Sequence, residues 1–195
     1  LKLVDANDTM YYYLSEVYRA ETNIESKFRE LLDNPHDNTD SYPALNDYIN
    51  NSVDKLKERI GDDFDEDGFR IERQRLYDNI YKKKMFVISG SAGSGKSYEI
   101  LNVLTELEQN KNQKYLVLAP TGKAALRLSS DGDFSNITAS TIDKFIAGVE
   151  YKKISRSEVK KYVNVVIDET SMVDLLKFEK LLNIFNFKEP TFRRL

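Results

Sequence analysis

The stretch GSAGSGKS, Gly90 to Ser97, constrains this chain more than any other, because it matches G-x-x-x-x-G-K-[ST] in full. Glycines let successive backbone N–H groups curl around an anion at the positive end of the helix that follows. The β-prone Phe86, Val87 and Ile88 precede the motif and an apolar-periodic segment follows it. The expected unit is therefore strand, loop and helix. Gly90, Ser91, Ala92, Gly93, Ser94 and Gly95 would cradle phosphates, Lys96 would reach the β- and γ-phosphates of a nucleotide, and the Ser97 hydroxyl would ligate Mg²⁺. Three of the eight glycines in the chain fall here beside the Gly-Lys-Ser run, which makes a chance turn a poor explanation.

The surrounding pattern predicts what kind of sheet carries the loop. A helix from Phe69 leads into a strand at Met85–Ser89. Helix 96–109, strand 115–119, helix 122–130, a helix near 141–149, strand 163–168 and helix 172–186 follow. Strands alternating with helices predict an α/β fold, a P-loop NTPase sheet of parallel strands with flanking helices. Upstream, residues 9–33 and 45–60 carry apolar residues at helical spacing on either side of the turn-forming DNPHDNTDSYP. Residues 1–60 therefore read as an N-terminal segment of two helices, for which an antiparallel hairpin is one arrangement. Residues 61–68 read as an acidic linker, and residues 69–195 as the ATPase domain. Tyr11, Tyr12, Tyr13, Tyr18 and Phe28 fall along the first helix and are expected to pack in a core, with partner docking or base stacking as alternatives. His36, the only histidine, sits in the turn with no ligand cluster and is read as solvent-exposed and not catalytic.

The second half of the expected site is VNVVIDETS, Val163 to Ser171, an apolar strand ending in two acids. Asp168 would hold the metal, through water or the Ser97 shell. Glu169, one residue on, would polarise an attacking water. An acid directly after the metal-holding Asp favours hydrolysis over simple binding.

Composition narrows the class further. Hydrophobic residues make up 41% and charged residues 31%, which suits a globular chain. No apolar run approaches the roughly 20 residues that span a bilayer, and no signal peptide opens the chain. Cysteine is absent, so no disulfide or thiolate metal site is available, and a cytoplasmic home is expected. A net charge of −3 argues against a dominant basic patch of the histone kind but leaves room for a local basic groove.

Between the phosphate loop and the paired acids lie YLVLAPTGKAALRLS (Tyr115–Ser129) and ASTIDKF (Ala139–Phe145), and DETSMVD follows. In this order the motifs resemble superfamily 1 DNA helicases of the RecD/Pif1-like group, over about residues 70–195. APTGKAA is the most specific of them, since a generic P-loop ATPase has no reason to carry it. The resemblance implies a RecA-like first motor domain with ATP and Mg²⁺ as cofactors. It also implies 5′ to 3′ movement on single-stranded DNA, in repair or recombination. It assigns single-stranded DNA contacts to Pro120, Thr121, Gly122, Lys123 and Thr141, and adenine recognition to Gln74 on the helix before the loop. Read alone, Thr121 is an ordinary helix N-cap and Gln74 a solvated surface residue. Tyr98 stands where a small hydroxyl residue is commoner in the family, and Thr170 where alanine is usual. In the family, a further strand inserts between the phosphate-loop strand and the Asp-Glu strand, beginning near the equivalent of FRRL (Phe192–Leu195). With Leu1 at the start and no motif of a second RecA-like domain, the chain is expected to be a fragment with an incomplete sheet, nearly inactive alone. The second domain would bring an arginine finger.

Two rival readings remain. Asp63–Gly68, DFDEDG, resembles the opening of a calcium-binding loop, but the twelfth position is Gln74 rather than a bidentate glutamate. A solvated acidic linker is the simpler expectation. The other rival is a P-loop ATPase or regulatory switch that acts on a protein partner, with the N-terminal helices as its docking site.

Overall fold

The computed structural model describes residues 2–6, 9–33, 44–90, 94–108, 113–130, 136–189, 191–192 and 194–195. Its centre is a parallel three-stranded sheet in the order β4–β3–β5, made of β3 (Lys114–Ala119), β4 (Ile137–Thr141) and β5 (Tyr162–Ile167). β3 is buried from Tyr115 to Ala119, as its unbroken apolar run requires of a strand covered on both faces. Leu116 pairs with Thr138 on one side and Val165 on the other.

Side chains alternate across β3 and divide the interior in two. Leu116 and Leu118 face a core with Val165, with Ile142, Phe145 and Ile146 of α6 (Ile142–Glu150), and with Leu181 and Leu182 of α8 (Leu175–Leu182). Tyr115 joins Tyr77 and Ile80 of α3 (Glu66–Lys82) and Val103 of α4 (Lys96–Glu108) in the opposite core. Val117 packs against Leu104 on that same side. Helices on both faces of a parallel sheet are the α/β architecture that the alternation predicts.

Beyond β5, Arg194 forms a parallel bridge to Asn164. Its N–H donates to the Val163 carbonyl at 3.2 Å, and its own carbonyl accepts from Val165 at 2.9 Å. On its far side, Leu195 N–H donates to the Lys84 carbonyl at 2.7 Å and Phe86 N–H donates to the Leu195 carbonyl at 3.1 Å. Arg194–Leu195 thus lie between β5 and residues 84–86, where the resemblance puts an intervening strand. The expected strand Met85–Ser89 is a correction: these residues form no strand ladder, and their bond to Leu195 comes from Phe86, its companion being made by Lys84 just before them.

The N-terminal segment differs from the expected pair of helices. Instead of a helix, β1 (Lys2–Ala6) and β2 (Thr9–Tyr13) pair antiparallel, with Leu3 opposite Tyr12. Thr-Met-Tyr-Tyr-Tyr is β-branched and aromatic, and this strand preference outweighs the helical spacing read there. Tyr11 and Tyr12 are 48% and 70% exposed, not core as expected, while Tyr13 meets Tyr18 edge-on at 6.1 Å.

α1 (Ser15–Asp33) and α2 (Ala44–Ile60) join different cores. Ile24 and Leu31 of α1 enter the Leu116 side, with Phe28 edge-on to Phe178 at 6.1 Å and Asn23 donating to Glu179 at 2.7 Å. Leu45, Ile49 and Val53 of α2 enter the Tyr115 side. Each apolar stripe finds more surface on the sheet-flanking helices than a two-helix hairpin would offer. The stretch read as linker contains a 3-10 turn, Gly61–Asp63, and then the start of α3, where Asp65 accepts from Gly68 N–H at 2.9 Å. Asp65, a ligand position in the calcium-loop reading, thus serves as the helix cap. His36 lies outside the described residues. No helix among the described residues is long and apolar enough to cross a membrane.

Candidate functional site

Parallel strands deliver their carboxyl ends to one edge, and ligands of open α/β sheets bind outside that edge. Here β3 ends at Ala119 and leads to Pro120 and Thr121, β4 ends at Thr141, and β5 leads to Asp168 and Glu169. Register keeps them level, since Ala119 pairs with Thr141 and Leu118 with Ile167. Residues 84–86 pair with Leu195 in the parallel sense, so the chain running on to Gly90 heads for the same edge.

At the phosphate loop, Gly95 adopts φ +86, a left-handed conformation that a side chain would strain. A Cβ at Gly90 would lie 2.7 Å from Ser94 Oγ, so a side chain there would have to displace the Ser94 hydroxyl. Lys96 Nζ donates to the Gly90 carbonyl at 2.6 Å and closes the loop on itself. Glu99 N–H donates to the Gly95 carbonyl at 3.0 Å and begins α4. A loop lined by glycine backbone, with an ammonium at its mouth and a helix N-terminus behind it, fits a polyphosphate. Ser91, Ala92 and Gly93 lie outside the described residues, as does the Ser97 side chain, although Ser97 is in the first turn of α4.

Asp168 N–H donates to the Leu118 carbonyl at 2.9 Å, extending the β5 pairing by one residue. The Asp168 carboxylate accepts from the Glu169 N–H at 2.9 Å. Glu169 itself adopts φ 50, ψ 40 and is exposed. A left-handed glutamate costs about 1 kcal/mol or more, and such strain gathers at functional positions. The turn is held by Met172 N–H donating to the Glu169 carbonyl at 3.0 Å, within the 3-10 turn Thr170–Met172. The helix expected at 172–186 therefore begins later: Val173 is extended, and Asp174 caps α8 by accepting from Lys177 N–H at 2.8 Å.

The residues expected to meet nucleic acid share the edge. α5 (Gly122–Ser130) starts directly after β3, and the Thr121 hydroxyl accepts from Ala124 N–H at 3.2 Å. The Thr141 hydroxyl accepts from Lys144 N–H at 3.2 Å at the start of α6. Both hydroxyls therefore act as N-caps. Gly122 and Lys123 are exposed, and a Cβ at Gly122 would meet nothing within 4 Å.

Gln74 stands apart on α3, exposed, donating to Asp78 Oδ1 at 3.1 Å. It borders a groove of about 440 Å³ with Asn46, Ile49, Asn50, Arg70 and Ile71. A cavity of about 470 Å³, lined in part by Val159, Tyr162, Phe185 and Phe192, opens near the start of β5, at the opposite end of the sheet. It takes no part in the site.

One group of residues escaped the sequence reading. Arg73 and Tyr77 on α3 meet Glu99 and Asn102 on α4, with Tyr77 OH donating to Glu99 Oε2 at 2.5 Å. Its signal was there: Arg73 and Tyr77 share a helix face at i, i+4, and Glu99 interrupts a helix that otherwise buries Val103 and Leu104.

A family model described as an AAA domain matches residues 73–191. The ATP-dependent DNA helicase PIF5 of Trypanosoma brucei brucei is 33% identical over 124 residues, which is 56% of this chain and 12% of the relative. An uncharacterized protein of Methanocaldococcus jannaschii, MJ1519, is 27% identical over 188 residues, 88% of this chain and 16% of the relative. The chain thus spans less than a fifth of the length of either. With the glycine loop and the parallel sheet in place, the chain belongs to this AAA-domain family of P-loop ATPases, and its core is a superfamily 1 helicase-like RecA domain.

Proposed function

We propose that this chain is part of an ATP-dependent DNA helicase of the RecD/Pif1-like group, coupling ATP hydrolysis to translocation on single-stranded DNA in repair or recombination. The observation that carries the reading is the strained, exposed Glu169 beside Asp168, on the sheet edge toward which the phosphate-loop segment runs. Bound ATP with Mg²⁺ supplies the phosphoryl-transfer chemistry. Gly90 to Gly95 line the anion with backbone N–H groups, and the Lys96 ammonium leaves the Gly90 carbonyl to neutralise charge at the phosphates. Ser97 would hold the metal, with Asp168 reaching it through water or the Ser97 shell. Glu169 takes a proton from water at a carboxylate oxygen, and Gln74 selects adenine. Pro120, Thr121, Gly122, Lys123 and Thr141 contact the backbone of single-stranded DNA. A second RecA-like domain completes the motor, so hydrolysis by the 195 residues alone is expected to be slower by about 10³ or more, the contribution of an arginine finger. The boundaries 1–60, 61–68 and 69–195 stand as the proposed division of the chain.

A second reading is an ATPase or switch working on a protein partner; the Thr121 and Thr141 hydroxyls cap their helices as acceptors and keep their O–H donors, so the caps fit either reading. Steady-state hydrolysis by the full-length protein, with and without a single-stranded oligonucleotide, separates the two. A Lys123→Ala, Thr121→Ala double variant is expected to lose about tenfold or more of the DNA stimulation while keeping basal hydrolysis. Hydrolysis that is indifferent to DNA in the unsubstituted protein would favour the protein-directed reading.

A further inference from the structure

The polar cluster between α3 and α4 has no part in the roles assigned above. Tyr77 OH donates to Glu99 at 2.5 Å and accepts from Asn102 Nδ2 at 3.3 Å, and Arg73 Nε lies 2.8 Å from Glu99 Oε1 as an ion pair whose N–H is not aligned for a hydrogen bond. Glu99 and Asn102 are each 5% exposed and Tyr77 is 3% exposed. Burial first, and then the bond to Glu99, push the Tyr77 phenol above its ordinary range, so it remains a hydrogen-bond donor. The Arg73 guanidinium also lies over the Phe69 ring, 4.8 Å from its centre, which limits its freedom.

A buried carboxylate is an expensive way to join two helices, since apolar residues of similar volume often serve stability as well or better. What such a cluster supplies is one defined placement of its partners, because the Tyr77–Glu99 and Asn102–Tyr77 bonds are directional and a shifted helix would leave buried Tyr77, Glu99 and Asn102 groups unpaired. The location gives that placement a use. Glu99 lies in the same helical turn as Lys96, and Gln74 directly follows Arg73.

We propose that Arg73, Tyr77, Glu99 and Asn102 are positioning residues that lock the base-side helix α3 to the phosphate-side helix α4, so that a purine and its triphosphate are gripped at one fixed separation. This rests on the nucleotide-site reading above. It makes base selectivity depend on residues that touch neither base nor phosphate.

The test titrates the 195-residue chain, Tyr77→Phe and Glu99→Gln with Mg-ATP, Mg-ITP and inorganic tripolyphosphate, alongside their melting temperatures. Tyr77→Phe is expected to weaken ATP binding about tenfold, the size of one charge-assisted hydrogen bond. It should leave tripolyphosphate binding unchanged and erase the preference for ATP over ITP. Glu99→Gln, which keeps the shape, should behave alike. Equal losses for all three ligands, tracking the melting temperature, would overturn the proposal and leave an ordinary structural cluster. ATP binding untouched in both variants would overturn it too. If the unsubstituted chain binds neither ATP nor tripolyphosphate, the nucleotide-site reading itself fails.

Discussion

Glu169→Gln in the full-length protein is expected to lower ATP hydrolysis by about 10³-fold with nucleotide affinity intact, the effect of removing a general base. The amide keeps the size and the left-handed turn but cannot take a proton from water. Glu169→Gly separates chemistry from conformation. Glycine adopts φ 50 freely, so this variant should be as inactive as the glutamine variant, yet more stable by roughly 1 kcal/mol. Stability lost at this position would mean that the Glu169 side chain makes a contact worth more than its strain. A loss of hydrolysis below about tenfold in the glutamine variant would move the base to another residue.

Phe145→Ala is expected to cost about 3–5 kcal/mol and to lower the melting temperature by roughly 10 °C. Phe145 is 2% exposed, stacks on Phe185 at 5.8 Å and meets Tyr162 edge-on at 6.4 Å. It therefore ties α6 to β5 and to the segment after α8. Truncation would empty the centre of the Leu116 core, a cavity that rigid neighbours fill only in part. Thermal unfolding followed by circular dichroism reads the shift, and a change under about 3 °C would mean that this core is loosely packed.

Strong local signals made much of this fold legible. Tyr115–Ala119 reads as a strand covered on both faces because five consecutive apolar residues admit little else, and they are all buried. Lys96–Glu108 reads as a helix because the glycine loop fixes its start. β4 escaped because Ile-Thr-Ala-Ser-Thr is short and mixed, and most of it is only half-buried. Its strand character comes from pairing with β3, a partner distant in sequence. β2 is hidden because the helical spacing that starts at Leu14 is carried back over Thr9–Tyr13, and its partner β1 lies in a stretch with no marked pattern of its own. The separation of α1 and α2 onto opposite sides of the sheet could not be read from either helix, since amphipathicity says that a face is buried and not what buries it.

The site divides in the same way. Gly90, Gly95 and Lys96 are named by a motif whose backbone demands are local, and their conformations follow from it. The left-handed Glu169 has no sequence signature, because the bonds that hold the turn, among them Asp168 to Leu118, Glu169 to the Asp168 carboxylate and Met172 to Glu169, depend on the fold. Thr121 and Thr141 show the reverse case: the plain capping role open to Thr121 in the sequence is the one its hydroxyl fills, and any contact with DNA must coexist with it.

Binding of a fluorescent ATP analogue to the 195-residue chain, with and without Mg²⁺ and beside Lys96→Ala, should be measured first. Saturable, Mg²⁺-dependent binding that tripolyphosphate displaces, weakened by about 100-fold or more in Lys96→Ala, is the expected result for an ammonium facing two phosphates. Binding that is equal in the two proteins, or that does not depend on Mg²⁺, would contradict a nucleotide site at this loop.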